Sequence, residues 1–148
     1  RSSDLVLADL NIKNITQYSM KYVDFIECPH DDIGISTLNL KVSLGNSRGE
    51  LSEKQPLQIR AEIVENPYTH TVMIVSPATL SMPNAQTKSK IGVVVDVHTN
   101  RIEIFAVDGF LSQLPNLLED IHLKNKTCFF DLLSPKGLAM LEPTYATN

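Results

Sequence analysis

Two carboxylates and one imidazole near residue 100 are the best candidates in this chain for groups that do chemistry. Asp96, His98 and Glu103 lie close together in the sequence. If Thr99-Asn100 forms a two-residue turn, Asp96 pairs with Glu103 and the three groups share one face of a hairpin. Paired carboxylates bind a divalent cation or hold a proton for general acid–base work, as in a metal-assisted hydrolase. The alternative, which we favour, is the solvated outer face of a hairpin.

His122 and Asn125 are a second candidate pair because they lie along the apolar stripe of a predicted helix. Asn125 interrupts the stripe and His122 borders it. A buried amide or imidazole needs a hydrogen-bond partner, and lacking one costs about 1–3 kcal/mol. Either the two side chains hold the polar end of a ligand between helix and sheet, or they bond to a strand end or a loop carbonyl. The second arrangement is the commoner one.

The remaining motifs and the charge balance argue against several function classes. The sequence has no HExxH or Walker pattern. Its 13 Lys and Arg against 17 Asp and Glu give a net charge of -4, which argues against a nucleic-acid interface. Cys28 and Cys128 lie outside the spacing of zinc ligands, and we favour two small buried thiols over the alternative of a disulfide between them. We expect no cofactor and no bound metal.

The elements that must position these residues are strands over the first 110 residues. Apolar and polar side chains alternate there, which is typical of half-buried strands. We expect hairpins between the third and fourth strands, with a turn at 65–68, and between the fifth and sixth. The alternation predicts six strands, over 18–27, 38–44, 57–63, 68–75, 91–97 and 102–106, with a loop over 76–90.

After residue 109 the apolar spacing changes to three and four, which predicts one long amphipathic helix over about 112–133. Ser112 is its expected N-cap, Pro115 falls in the first turn, and Ser134-Pro135 ends it. We therefore predict one α+β domain over 1–148, an antiparallel sheet of about six strands with one face covered by the helix. A chain of 148 residues buries enough surface to need no disulfide or metal.

The composition is that of a globular domain rather than a membrane protein. Hydrophobic residues make up 43% and charged residues 20%. No apolar run approaches the roughly 20 residues of a membrane helix. We expect a cytoplasmic location. Because the chain opens with Arg1-Ser2-Ser3 and no signal-peptide core, it is either a fragment or a processed product, and we expect a fragment.

Separated segments from about Thr16 onward resemble a sporadically distributed family of uncharacterised bacterial and archaeal proteins. They are YSMKYVDFI at 18–26, VVVDV at 93–97, IHLKN at 121–125, FFD at 129–131 and LEPTY at 141–145. The family pattern has an arginine-tyrosine-hydrophobic-asparagine strand, an aspartate-rich strand and a leucine-histidine helix ending in glutamate-proline. Lys21 stands where that pattern has arginine, and Asp24 where it has asparagine. The resemblance implies a C-terminal portion of a longer protein and marks Asp96 and His122 as pattern positions.

The sequence favours a noncatalytic binding module that holds a protein partner at a strand edge or between helix and sheet. One alternative is a small apolar or amphipathic ligand between sheet and helix, with His122 and Asn125 at its polar end. The least favoured is the hydrolase built on Asp96, His98 and Glu103. A homodimer is compatible with either binding hypothesis.

Overall fold

The computed structural model describes residues 12–28, 34–42, 55–81 and 89–141, which form an antiparallel sheet and a long C-terminal helix. The sheet order is β1-β4-β3-β2 and every neighbouring pair is antiparallel. The predicted α+β class is therefore confirmed. The elements are β1 (Asn14–Glu27), a 3-10 turn (Ile35–Thr37), β2 (Leu57–Glu65), β3 (Tyr68–Leu80), β4 (Lys90–Ala106), α1 (Val107–Asp131) and α2 (Pro135–Leu141).

Four strands occupy the described residues, so the prediction of six is not confirmed. The hairpin predicted at Thr99-Asn100 is wrong, because β4 runs through it as one strand of 17 residues. Thr99 pairs with Met20 of β1 on one side and with His70 of β3 on the other. Pairing on both sides favours an extended chain, and neither turn residue is the glycine that tight hairpins prefer.

The strand predicted over 38–44 is also not present in the part of it that the structure describes. Leu38 makes an isolated bridge to Leu133, and residues 39–42 are irregular. Residues 43 and 44 lie outside the described ranges. The apolar side chain of Leu38 is still buried, 4% exposed, so the alternation there reports packing rather than a strand.

The predicted hairpin between β2 and β3 is confirmed, with its turn at Asn66-Pro67. β3 continues to Leu80, so residues 76–80 are strand rather than loop. The register with β4 shifts at a bulge between Val75 and Ala78. The pairing of β2 with β3 ends at Leu57 and Ser76. Beyond Ser76, β3 has no described neighbour on the β2 side. A strand tolerates proline at such an unpaired position, and Pro77 occupies it.

The long helix is confirmed but begins five residues earlier than predicted, at Val107 instead of residue 112. Ala106 is its N-cap, and Ser112 instead donates to the Gly109 carbonyl inside the helix. Pro115 consequently lies in the helix interior rather than in the first turn. The helix ends at Asp131, two residues before the predicted end, and Pro135 begins a short second helix, α2.

The core lies between α1 and the face of the sheet turned toward it, which we call the inner face. α1 crosses β1 and β4, and its predicted apolar stripe is buried at Leu117, Ile121 and Phe129. Cys28 is buried and Cys128 half-buried, and both are free thiols. The inner-face strand residues that complete the core are Ile26, Val72, Ile74, Val93, Val95 and Val97. Neither helix in the described ranges combines the length and the apolar character needed to cross a bilayer.

Candidate functional site

A pocket of about 310 Å³ lies between the inner face of β1 and the C-terminal half of α1, and we call it the edge pocket. Among the described residues, none from β2, β3 or β4 lines it. The pocket therefore lies at the edge of the sheet, on the side of β1 that points away from β4. Its lining residues are Tyr22 and Asp24 of β1, His122, Asn125, Lys126, Phe129 and Phe130 of α1, and Leu141 of α2.

The floor of the edge pocket is buried and its mouth is aromatic. Phe129 is 7% exposed and Asn125 is fully buried. At the mouth, the rings of Tyr22 and His122 stack with their centroids 5.7 Å apart, and Phe130 is 39% exposed. Strand alternation turns Tyr22 toward α1, and helical spacing brings the floor and mouth residues of α1 to one side. A mostly apolar concave wall with few polar groups is the usual composition of a binding site.

The charges of β1 are neutralised within the sheet, with one exception. Lys21 Nζ lies 2.8 Å from Oδ2 of Asp96 on β4, and Glu27 forms an ion pair with Lys90, which is also on β4. Asp24 is half-buried at the edge pocket and makes no ion pair or hydrogen bond with another described residue. The pocket therefore contains a carboxylate that the described part of the chain leaves uncompensated.

Asn125 is a structural link between α1 and the sheet as well as part of the pocket floor. Its Nδ2 lies 2.9 Å from the Val97 carbonyl and 3.3 Å from the Met20 carbonyl, so it bridges β4 and β1. Nδ2 is also 2.8 Å from Thr99 Oγ1, and Oδ1 has no hydrogen-bond partner among the described residues. The predicted interruption of the stripe is thus a buried amide bonded to strand carbonyls. His122, by contrast, is exposed.

A buried polar chain that the sequence analysis missed continues from Asn125 into the sheet. Thr99 Oγ1 lies 2.8 Å from Nδ1 of His70, whose Nε2 is 3.6 Å from a Glu65 carboxylate oxygen. This order resembles a nucleophile, base and acid, but Thr99 is fully buried and 3.6 Å is too long for a hydrogen bond. The chain is therefore structural. Its signal in the sequence is that His70 alternates with buried Tyr68, Val72 and Ile74.

A second polar cluster joins the middle of α1 to β3 and β4. The Tyr68 hydroxyl donates to Asp120 of α1, and Arg101 donates to Tyr68 and to Glu103. Burial and the Asp120 hydrogen bond raise the pKa of Tyr68 above its ordinary value of 10.0. The donor and acceptors satisfy one another, so the cluster stabilises the packing of α1.

The predicted constellation of Asp96, His98 and Glu103 is not assembled. Asp96 lies on the outer face, where it pairs with Lys21, and His98 follows on that face. Glu103 bonds to Arg101, which contacts the inner-face residue Tyr68. Seven strand positions separate the two carboxylates by roughly 23 Å. The pairing predicted for a hydrolase is wrong because the turn that would create it does not form.

The edge pocket thus has the geometry of a binding site. Of the five predicted site residues, His122 and Asn125 line it. Asp96, His98 and Glu103 do not, and no group of three potential metal ligands occurs among the described residues. No protein-family model, curated protein or solved structure matches the chain.

Proposed function

We propose that this domain is a noncatalytic binding module that holds an extended segment of a protein partner along β1, with one apolar side chain in the edge pocket. The observation that supports the proposal is the position of the pocket. It lies beside a strand that pairs with β4 on one side and with no described strand on the other.

β1 has the backbone groups that strand addition requires. It extends over 14 residues, and alternate N–H and C=O groups of an edge strand point away from its neighbour. An added strand would place every second side chain on the inner face, opposite Tyr22 and Asp24. Those side chains would then meet the wall of α1 that carries His122 and Lys126. Backbone pairing would supply affinity, and the pocket would supply side-chain selection.

The volume and walls of the edge pocket suit one large apolar side chain. Its roughly 310 Å³ is at the lower end of the range for ligand sites. The rings of Tyr22, His122 and Phe129 surround it, and aromatic side chains favour such edge and stacked contacts. A small amphipathic molecule is the second candidate occupant, because Asp24 and Lys126 provide polar contacts beside the apolar wall.

A neutral peptide distinguishes the two occupants. We would titrate acetyl-Thr-Gln-Thr-Phe-Thr-Gln-Thr-amide into the ¹⁵N-labelled domain and follow amide shifts and hydrogen exchange. Strand addition should shift and protect alternate amides of β1. A Phe-to-Ala peptide should bind about tenfold more weakly.

The two sheet edges offer a matched control for this titration. Tyr22 of β1 is 41% exposed and Ile63 of β2 is 43% exposed, and both lie on the inner face. Tyr22→Ala should weaken peptide binding about tenfold, whereas Ile63→Ala should leave it unchanged. Protection along β2, or equal effects of the two variants, would contradict the proposal. Shifts confined to the pocket, without protection of β1, would favour the small-molecule occupant.

A further inference from the structure

Asp24 gives the edge of β1 a charge preference. Its side chain is half-buried at the edge pocket, and the other charged residues of β1, Lys21 and Glu27, already have partners on β4. A strand added to β1 would cover Asp24 further. Withdrawing a carboxylate from water is unfavourable unless a cation or hydrogen-bond donor replaces the water.

Lys126 is the other charged residue of the edge pocket, and its position differs from that of Asp24. It lies on the exposed side of α1, with Nζ 5.9 Å from the centroid of the Phe130 ring. A long exposed lysine keeps its ammonium in water by moving its flexible stem. The short side chain of Asp24 is attached to the strand itself, so it has no such freedom. Asp24 therefore dominates the charge preference for an incoming strand.

A second copy of β1 does not meet this preference. The inner-face residues of β1 are Tyr18, Met20, Tyr22, Asp24 and Ile26, and none of them is basic. In any antiparallel pairing of two β1 strands that keeps their inner faces together, Asp24 would face an uncharged or an acidic side chain. The edge is thus better suited to a different chain than to self-association.

We infer that the partner segment carries a lysine or arginine on the same face as its apolar anchor, two residues before it. This inference rests on the proposed function. When the anchor lies opposite Tyr22 in an antiparallel added strand, the residue two positions earlier lies opposite Asp24. Opposite charges at directly facing positions stabilise a strand pair, and like charges destabilise it. The segment recognised is therefore of the form basic–x–apolar.

The test replaces the first glutamine of the neutral peptide by lysine or by glutamate, so that the three probes differ only in the charge two positions before phenylalanine. We expect affinity to fall in the order Lys, Gln, Glu, with roughly a tenfold range between the extremes at low salt and a smaller one at high salt. Asp24→Lys should reverse the order. Asp24→Asn should remove it, and Lys126→Gln should preserve it.

The outcomes separate this inference from the proposed function. If all three probes protect β1 and bind with equal affinity, both to the unmodified domain and to Asp24→Lys, the charge preference is wrong while strand addition stands. If no probe protects β1, the proposed function fails as well. A domain that is already dimeric without peptide, with β1 protected from exchange by its second copy, would overturn the inference.

Discussion

The two edges of the sheet differ in what lies behind them rather than in their backbone. β1 and β2 each pair with one described strand, so within the described ranges both present N–H and C=O groups that no neighbouring strand pairs. α1 crosses β1 and forms a pocket there, whereas the inner-face residue Ile63 of β2 stays 43% exposed. An edge becomes selective when a second layer contacts the side chains of an added strand.

The charges of the two edges sharpen this contrast. On β2, Nη2 of Arg60 lies 3.7 Å from Oε1 of Glu62, and both side chains are exposed. Glu65, the last residue of β2, forms an ion pair with Lys124 of α1. Charged side chains on an edge strand discourage pairing with other chains. On β1 the equivalent ion pairs are made to β4, which leaves Asp24 as its uncompensated charge among the described residues. Each edge strand therefore carries three charged residues, and β1 differs in having an inner-face carboxylate without an ion-pair partner among the described residues.

Substitutions in the floor of the edge pocket should have the largest effect on stability, because the floor residue Phe129 is also part of the hydrophobic core. Phe129→Ala should lower the free energy of unfolding by about 3–5 kcal/mol, since it empties a buried site behind β1. Phe130→Ala, at the exposed mouth, should cost much less while still weakening peptide binding. Urea unfolding of both variants measures the difference. Equal losses would show that the pocket wall is not divided into floor and mouth.

The contact between β4 and β1 gives the next effect. A Cβ at Gly92 would lie 2.1 Å from the Ile26 carbonyl oxygen and 2.8 Å from the Phe25 ring. Gly92→Ala should therefore push β1 away from β4 and cost about 1–3 kcal/mol by thermal or urea unfolding. Gly109→Ala is the control, because a Cβ added at Gly109 would have no neighbouring atom within 4 Å. Since glycine destabilises a helix relative to alanine, this variant should be more stable by about 0.5–1 kcal/mol. A neutral Gly92→Ala would contradict the close approach.

Substitutions of Asn125 and His122, which line the same pocket, should affect stability and peptide binding differently. Asn125→Ala removes the donor to the Val97 and Met20 carbonyls and should cost about 1–3 kcal/mol. His122→Ala removes an exposed ring and should change stability by less than about 0.5 kcal/mol. Peptide binding should weaken in His122→Ala because the ring stacks on Tyr22 at the mouth. Denaturation and NMR titration of both variants check this division, which a strongly destabilised His122→Ala would refute.

The smallest effect concerns the ion pair that connects β2 to α1. The hydrogen bond from Lys124 and its positive charge lower the pKa of Glu65 below its ordinary value of 4.5. A lowered carboxyl pKa contributes stability that is present above the ordinary value and is lost as pH falls through the lowered one. Carboxyl ¹³C titration should show the pKa of Glu65 returning toward 4.5 in Lys124→Met. The melting temperatures of the two proteins should converge at low pH, and a difference that persists there would contradict this assignment.

Local periodicity was sufficient to predict β1, the β2–β3 hairpin and α1. In each case the apolar repeat of one segment reports which of its faces is buried, whatever element covers it. The interruption of the helix stripe at Asn125 was visible for the same reason. The 38–42 segment shows the limit of this signal, because Leu38 is buried without being part of a strand.

The predicted carboxylate pair failed because it depended on one turn. A weak turn at Thr99-Asn100 competes with pairing to β1 and β3 on both sides, and the information for that pairing lies at Met20 and His70, far away in the chain. The polar chain from Asn125 to Thr99 and His70 was invisible for the same reason. Its members come from three elements and share no local pattern.

The residues alone determined the class of the domain, the strand and helix periods, and the buried positions of α1, because these follow from side chains within a few residues of one another. Only the tertiary structure decided that β1 is an edge, that α1 crosses it, and that Tyr22 and Asp24 meet His122 and Phe129. Strand order and helix placement depend on contacts between segments about a hundred residues apart, and those contacts leave no periodic trace in either segment.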